Sequence, residues 1–424
     1  MTSSIQRKYL IIGSGGREHA LCLHLKNQGL SVECAPGSDA ISQLLPTWSF
    51  DTFDDLVSTI REREITEVIV GPEVYLNEGI SDFLERHHIR CFGPKRWEAR
   101  LETDKAWAKK FCKNWKIPTA QYRLVDKTSD LPAVLAEFKP PFVIKASGLA
   151  AGKGVWIGED AEEAGKVAKE FLTEHDHVVV EDFVVGKEVS VFYAVDGDHY
   201  CFLGEAQDHK RLLDGNRGPN TGGMGVVSPS GLIDSSLRIK IEKEILEPCL
   251  NGLKRESLSY RGFLFLGLML KDDRFWLLEF NCRLGDPEAQ VLLMRLQTSL
   301  ADVIEFLAIQ KNRPLESSLE PQLDHRPSLG VVLASKQYPR KTSNGEDLPG
   351  LESIPQSLQV FHSGTAWDSE REIWRTKGGR LVCVCTQQDS MKLCRSTVYP
   401  WIESLPFQDR ITYRRDIGED YAGD

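Results

Sequence analysis

A chain of 424 residues exceeds what one hydrophobic core organises, because single cores stop growing at about 250–300 residues, so two to four domains are expected. The apolar share of 41% and charged share of 27% are those of an ordinary globular protein, and no run approaches the roughly 20 apolar residues of a membrane-spanning helix. A formal net charge of −10 argues against a nucleic-acid partner, whose phosphates need a basic surface, so any anionic substrate must be met by a local cluster of Lys and Arg.

At the N-terminus, Arg7 and Lys8 precede only Tyr9-Leu10-Ile11-Ile12 before Gly13, shorter than the roughly 7–15 apolar residues of a secretion signal. The ten cysteines are scattered, with no Cys-x-x-Cys pair and no Cys/His cluster at zinc spacing. A cytoplasmic protein with reduced, mostly buried thiols is expected. Through residues 8–100 apolar strands alternate with helical patterns: residues 9–12, a helix through Leu21 and Leu25, residues 31–34, and residues 67–70 ending at Gly71-Pro72-Glu73. That is a parallel α/β unit. Thr103-Asp104 reads as an N-cap ahead of a helix carrying Lys105, Lys109 and Lys110, and Ile117-Pro118 closes it.

From 142 to 188 short strands surround a glycine-rich turn, followed by a helix over 161–172 and a strand over 178–183. Between 189 and 282 strands dominate, interrupted by the glycine-rich segment 215–225 and a helix near 237–253, so this part is α+β. Residues 315–328, rich in Pro, Ser and Glu, read as a linker, and strand-like runs follow at 329–334 and 381–385. The expected units are 1–102, 103–325 with a glycine-lid lobe at about 126–188, and a small β-rich unit at 326–424.

Four motifs carry candidate chemistry. Gly13-Ser14-Gly15-Gly16-Arg17-Glu18-His19 sits where a strand hands over to a helix, a place where backbone N–H groups and the positive helix end face an anion. A dinucleotide fingerprint needs a third glycine where Glu18 stands, and the candidate ribose acid, Glu33, lies inside a strand. Phosphate binding is expected there, and NAD is not. The segment Lys145-Ala146-Ser147-Gly148-Leu149-Ala150-Ala151-Gly152-Lys153-Gly154 is not a Walker P-loop, since three residues separate its glycines and Gly154 follows the lysine. Its flanks read as paired strands, making a glycine hairpin with a lysine at each end, suited to fold over a triphosphate.

On the strand Trp276-Leu277-Leu278-Glu279-Phe280-Asn281, Glu279 and Asn281 share a face and present a carboxylate and an amide oxygen together. Such hard oxygens suit Mg²⁺, which takes one or two protein ligands and completes its shell with water and phosphate. The fourth motif is Gln207-Asp208-His209-Lys210-Arg211 followed by the glycine-rich residues 218–225, a loop costly to order and therefore a candidate binding element.

Taken in order, these motifs together with Gly71-Pro72-Glu73, the run Cys282-Arg283-Leu284-Gly285-Asp286-Pro287-Glu288, Gly378-Gly379-Arg380 and Arg415-Asp416-Ile417-Gly418 resemble the glycinamide ribonucleotide synthetases from about residue 8 to residue 418. The resemblance implies an ATP-grasp fold with an N-terminal parallel α/β domain and a small C-terminal β-rich domain. It implies a ligase that joins a carboxylate to an amine through an acyl phosphate, with ATP as co-substrate and Mg²⁺ or Mn²⁺ as the metal. By that pattern Lys105, Lys145, Gly148, Gly152, Lys153, Gly154, Glu181, Val184 and Glu188 would hold ATP, and Glu279 and Asn281 the metal. Gly15, Gly16, Arg17, Glu73, Asp208, Lys210, Asn220, Gly222, Arg283 and Asp286 would face the phosphorylated amine and the amino acid. Lys145 and Arg283 would act in catalysis, Arg283 on the tetrahedral oxyanion. The partners implied are small molecules, with no nucleic acid and no membrane.

The chain departs from the family pattern at Ser38-Asp39-Ala40, Val74-Tyr75, Ser147, Arg217, Val226-Val227 and Leu284, mostly in segments the family assigns to its substrates. A ligase of the same mechanism acting on another amine or amino acid therefore stands as an alternative. From other classes come a nucleotide-binding protein without turnover and a dehydrogenase built on Gly13 to Gly16. Against these stand Lys105, Lys145, Glu279 and Asn281, which are retained, and Glu18.

Overall fold

Tyr9, Leu10, Ile11 and Ile12 are apolar in unbroken succession, and the strand that contains them, Lys8–Gly13, has both faces buried. It lies inside a four-stranded parallel sheet between Ser31–Pro36 and Glu67–Val70, with Cys91–Phe92 at the edge. A continuous apolar run is what a parallel strand covered by helices requires. The computed structural model describes residues 7–126, 131–148, 154–310 and 319–423. Among these, no helix is long and apolar enough to cross a membrane, and all ten cysteines are buried and unpaired.

The helix expected after Asp104 is Lys105–Trp115, and the Asp104 carboxylate accepts from the Trp107 amide at 2.9 Å as its N-cap. One short helix, Arg100–Thr103, precedes it, beyond the elements expected from the sequence. The paired strands expected around the glycine turn are Phe142–Ala146 and Val155–Gly158, antiparallel in register Phe142 to Gly158. With His177–Asp182 and Tyr122–Asp126 they make a four-stranded sheet, backed by the helix Ala161–Glu174. Residues 149–153, including Gly152 and Lys153, lie outside the described residues.

The largest sheet runs in the order Arg274–Asn281, Arg261–Lys271, Lys187–Asp196, His199–Asp208, Gly225–Ser228, Ser328–Ser335, Arg380–Gln387, Gln359–His362, with Ile411–Thr412 paired to Ser328–Ser335. The strands that follow the expected linker thus continue the sheet of the preceding α+β part through the pairing of Gly225–Ser228 with Ser328–Ser335. All four residues of Gly225–Ser228 are buried, so no polar edge is left there to separate the two parts. The helix expected near 237–253 comprises Ser235–Ile241 and Glu247–Arg255, joined by the π-helical turn Glu242–Leu246.

The end of the strand Gln359–His362, with Ser363 after it, packs back onto the first helix, Gly16–Asn27. The His362 amide donates to His19 Nδ1 at 3.1 Å, and the two imidazole rings lie 6.0 Å apart. Burial pushes His19 down to about 4 and His362 down to about 3. Above pH 6.5 these rings are neutral in both folded and unfolded chains and contribute nothing. Below it the unfolded chain takes up protons that the folded one refuses, so stability falls as pH drops from about 6.5 toward 4. We expect each ring to cost on the order of 2 kcal/mol at pH 5. Urea midpoints at pH 7.5 and 5.0 measure this, and equal midpoints would refute it.

Candidate active site

Glu18 explains the first glycine turn. Its side chain fills the space between Gly13 and Gly71, where a Cβ would stand 2.6 Å from Glu18 Cγ and close against Glu18 Oε1, respectively. Gly13 has φ +129°, which a residue with a side chain rarely adopts. The Gly15 amide donates to Glu18 Oε2 at 2.6 Å and the Gly16 amide to Ser363 Oγ at 3.1 Å. Arg17 pairs through Nε with Glu18 at 2.5 Å and donates through Nη1 to the Leu284 carbonyl at 3.1 Å. Of the three residues expected to meet an anion here, Arg17 lines the main cavity, while the two glycine amides are engaged by protein side chains. Glu33 is occupied structurally, paired with Lys8 at 2.6 Å and bonded by the Trp48 indole at 2.7 Å.

The main cavity, of about 570 Å³, opens between the lid sheet and the large sheet. Lys105, Lys145, Gly148, Gly154, Glu181, Val184 and Glu188 converge on it. The Glu181 carboxylate takes ion pairs from Lys145 and from Lys109, the latter at 2.5 Å. Burial opposes its ionisation, yet the two ammonium groups hold it below the usual carboxylate range. Burial lowers Lys105 and Lys109 below the ordinary lysine value. Lys105 Nζ donates to the Gly148 carbonyl at 3.1 Å and Lys145 Nζ to that of Leu278 at 3.2 Å. Lys109 also lines the cavity, beyond the site residues expected from the sequence. Its position four residues after Lys105, on the same helical face, was the signal that could have found it.

Glu279 and Asn281 both reach the cavity from the strand Arg274–Asn281, as the period-two argument requires. Burial favours the neutral acid at Glu279, but Lys210, Lys145 and Lys105 pull it down to about 2. A carboxylate held ionised beside an amide oxygen fits a hard divalent cation. Among the described residues no group of three or more His, Cys, Asp or Glu could hold a metal. Lys210 stands at the same place, with Nζ 2.5 Å from Glu188 and 3.8 Å from Glu279.

Glu73, Asp208, Asn220, Gly222, Arg283 and Asp286 line the same cavity with Arg17. Arg283 is clamped by Glu73 at 2.8 Å and Glu102 at 2.9 Å, and donates to the Leu284 carbonyl at 3.1 Å. Burial disfavours its charge, but the two carboxylates raise its pKa above the usual value. Burial and the neighbouring Glu288 raise Asp208 well above the carboxylate range, and its Oδ1 is buried without a hydrogen-bond partner. Arg380 reaches in from the last third of the chain to the carbonyls of Gly222 and Asp286, each at 2.5 Å. Glu102 has no local pattern to mark it, whereas Glu288 and Arg380 stand in the motif series that carries the family resemblance, and all three line the cavity. None of the departures at 38–40, 74, 75, 147, 217, 226, 227 and 284 lines this cavity. Leu284, Val226 and Val227 are buried in the core, and Ser147 bonds Asp104 and the Ala106 amide at 3.0 and 2.9 Å.

A lid sheet facing a larger sheet across a cation-lined, carboxylate-bearing cavity places this chain among the ATP-grasp proteins. The biotin carboxylase domain of Hydrogenobacter thermophilus 2-oxoglutarate carboxylase shares this fold, with a TM-score of 0.72 over 96% of this chain and 90% of that one at 14% identity. The phosphoribosylglycinamide synthetase models match in three parts, the N domain over residues 7–102, the ATP-grasp (A) domain over 103–289 and the C domain over 328–420, and the chain belongs to this family. It is 37% identical to the phosphoribosylamine–glycine ligase of Neisseria meningitidis serogroup B, over 97% of this chain and 99% of the relative. It is 38% identical to that of Listeria monocytogenes serovar 1/2a, over 96% and 98%. The crystal structure of the Thermotoga maritima phosphoribosylamine–glycine ligase is similar with a TM-score of 0.82 and 32% identity, covering 96% of this chain and 99% of that one.

Proposed function

We propose that this chain joins glycine to 5-phosphoribosylamine with ATP, giving glycinamide ribonucleotide, ADP and phosphate in purine biosynthesis in the cytoplasm. The observation that carries the reading is the convergence on one cavity of nucleotide cations, a two-oxygen metal set and charged substrate-facing residues, drawn from segments as distant as Arg17 and Arg380. The chain is read as three units, 1–102, 103–325 and 326–424, with the cavity where they meet.

In this reading a glycine carboxylate oxygen attacks the γ-phosphorus of ATP and ADP leaves, forming an acyl phosphate. The neutral amine of phosphoribosylamine then attacks the acyl carbon, phosphate departs, and the amine proton is lost. Lys105 and Lys145 hold the phosphate charge, with Lys145 oriented by Glu181. Glu188 takes the ribose hydroxyls, and the backbone near Val184 the adenine. Glu279 and Asn281 would hold magnesium, or manganese, which supplies further charge neutralisation when bound. Arg283, rigid between Glu73 and Glu102, presents its positive charge to the developing oxyanion. Arg17, Asn220, Gly222 and Asp286 face the amine and amino acid, Lys210 faces them from its place beside Glu188 and Glu279, and Asp208 offers its unpartnered carboxyl oxygen there.

None of the departures from the family pattern lines the cavity, which supports an unaltered substrate pocket. Purified protein is expected to release ADP, not AMP, only when both the amine and glycine are present. Its kcat/KM for glycine should exceed that for alanine, serine and β-alanine by roughly tenfold or more, since an added methylene changes discrimination by about 1–3 kcal/mol. Release of AMP would overturn the mechanism, and equal kcat/KM values would overturn the substrate assignment.

A further inference from the structure

The strands Arg211–Leu213 and Arg217–Asn220 pair only with each other, with Arg211 opposite Asn220 and Leu213 opposite Arg217. A lone two-stranded hairpin is marginal in water, and Leu213 is about half exposed, so apolar burial does little to fix this one. Yet it connects Asp208 and Lys210 on one side to Asn220 and Gly222 on the other, all of them on the cavity wall. Thr221 closes its base, the amide and hydroxyl both donating to the Lys210 carbonyl at 2.8 Å.

The tip is held from the far end of the chain. Arg414, 1% exposed, grips Asp416 with two prongs, Nε at 2.7 Å and Nη2 at 2.6 Å. Its Nη1 donates to Asn216 Oδ1 at 2.8 Å and to the Arg211 carbonyl at 3.3 Å. The Gly215 amide donates to Asp416 Oδ2, and the Arg415 amide to Asp214 Oδ1, each at 2.8 Å. A buried guanidinium with a forked carboxylate partner is a rigid anchor, because its planar fork loses little further freedom when it binds.

We propose that Arg414, through Asp416, is a positioning residue for the reaction: it sets the hairpin 211–220, and so the placement of Lys210, Asn220 and Gly222 against the phosphorylated amine, without touching substrate itself. This rests on the ligase reading above. Misplacing a substrate-holding group by about 1 Å can cost up to roughly a hundredfold, so a loosened hairpin shows in the KM of the substrate it holds.

The test uses Arg414→Lys, which keeps the charge and loses the fork, and Asn216→Gly. The second removes one anchor contact at the exposed tip and suits the positive φ of 55° there, so folding is not at risk. With phosphoribosylamine, glycine and Mg-ATP, the KM for the amine is expected to rise roughly tenfold in Arg414→Lys and by less in Asn216→Gly, with the KM for ATP moving least. Amide hydrogen exchange should speed up across 211–220 in both variants. A merely structural role would lower kcat through lost folded enzyme and leave both KM values alone. That result, or unchanged exchange in 211–220, overturns the proposal. Were the wild-type chain inactive on these substrates, the ligase reading would fall on that result alone, and the exchange measurement would still decide on the anchor.

Discussion

Replacing Glu279 with Ala is expected to abolish turnover, by roughly a thousandfold or more, while the fold survives. The carboxylate sits on the strand Arg274–Asn281 where three lysines, Lys210, Lys145 and Lys105, keep it ionised. It is about a third exposed to the cavity, so its removal leaves no large void. What is lost is one of the two oxygens proposed to hold the cation, and a bound cation at transferring phosphate contributes several kcal/mol of charge stabilisation. Asn281→Ala should act in the same direction. ATP binding should suffer less than kcat, because the lysine cluster remains and loses a competing negative charge. Steady-state rates at saturating Mg²⁺ and ATP titration calorimetry separate the two effects. Near-wild-type turnover by either variant would remove the metal assignment.

The second large effect is on stability. Glu181→Ala is expected to cost about 3–5 kcal/mol, the range for removing one partner of a buried ion pair. Glu181 stands between Lys145 and Lys109, all three buried, and both ammonium groups depend on its carboxylate. Without it two buried lysines face each other unpaired, in a site where burial already lowers the pKa of Lys109. Urea unfolding at neutral pH measures the loss. The phosphates of Mg-ATP would partly replace the missing negative charge, so ATP should stabilise the variant more than the wild type. A variant within about 1 kcal/mol of wild type would show that the triad is not what holds this wall together.

What the sequence alone determined was local. An unbroken apolar run at Tyr9 to Ile12 meant a doubly buried parallel strand, and alternation on one strand put Glu279 and Asn281 side by side, because side-chain direction repeats every two residues whatever the strand packs against. Asp104 announced a helix, and with it Lys105, since a short side chain satisfies the amides at a helix start without tertiary help. The order of the motifs led to the family. Tertiary structure alone decided how distant segments meet: His362 on His19, Ser363 on Gly16, Arg380 on Gly222, Arg414 on Asn216. It also decided that Glu18 would claim the Gly15 amide, that Arg283 would be clamped by Glu102 as well as Glu73, and that the strands after the linker would extend the sheet before it. No period of two or 3.6 residues encodes such pairings, because they are set by which buried polar groups find partners once the cores have packed.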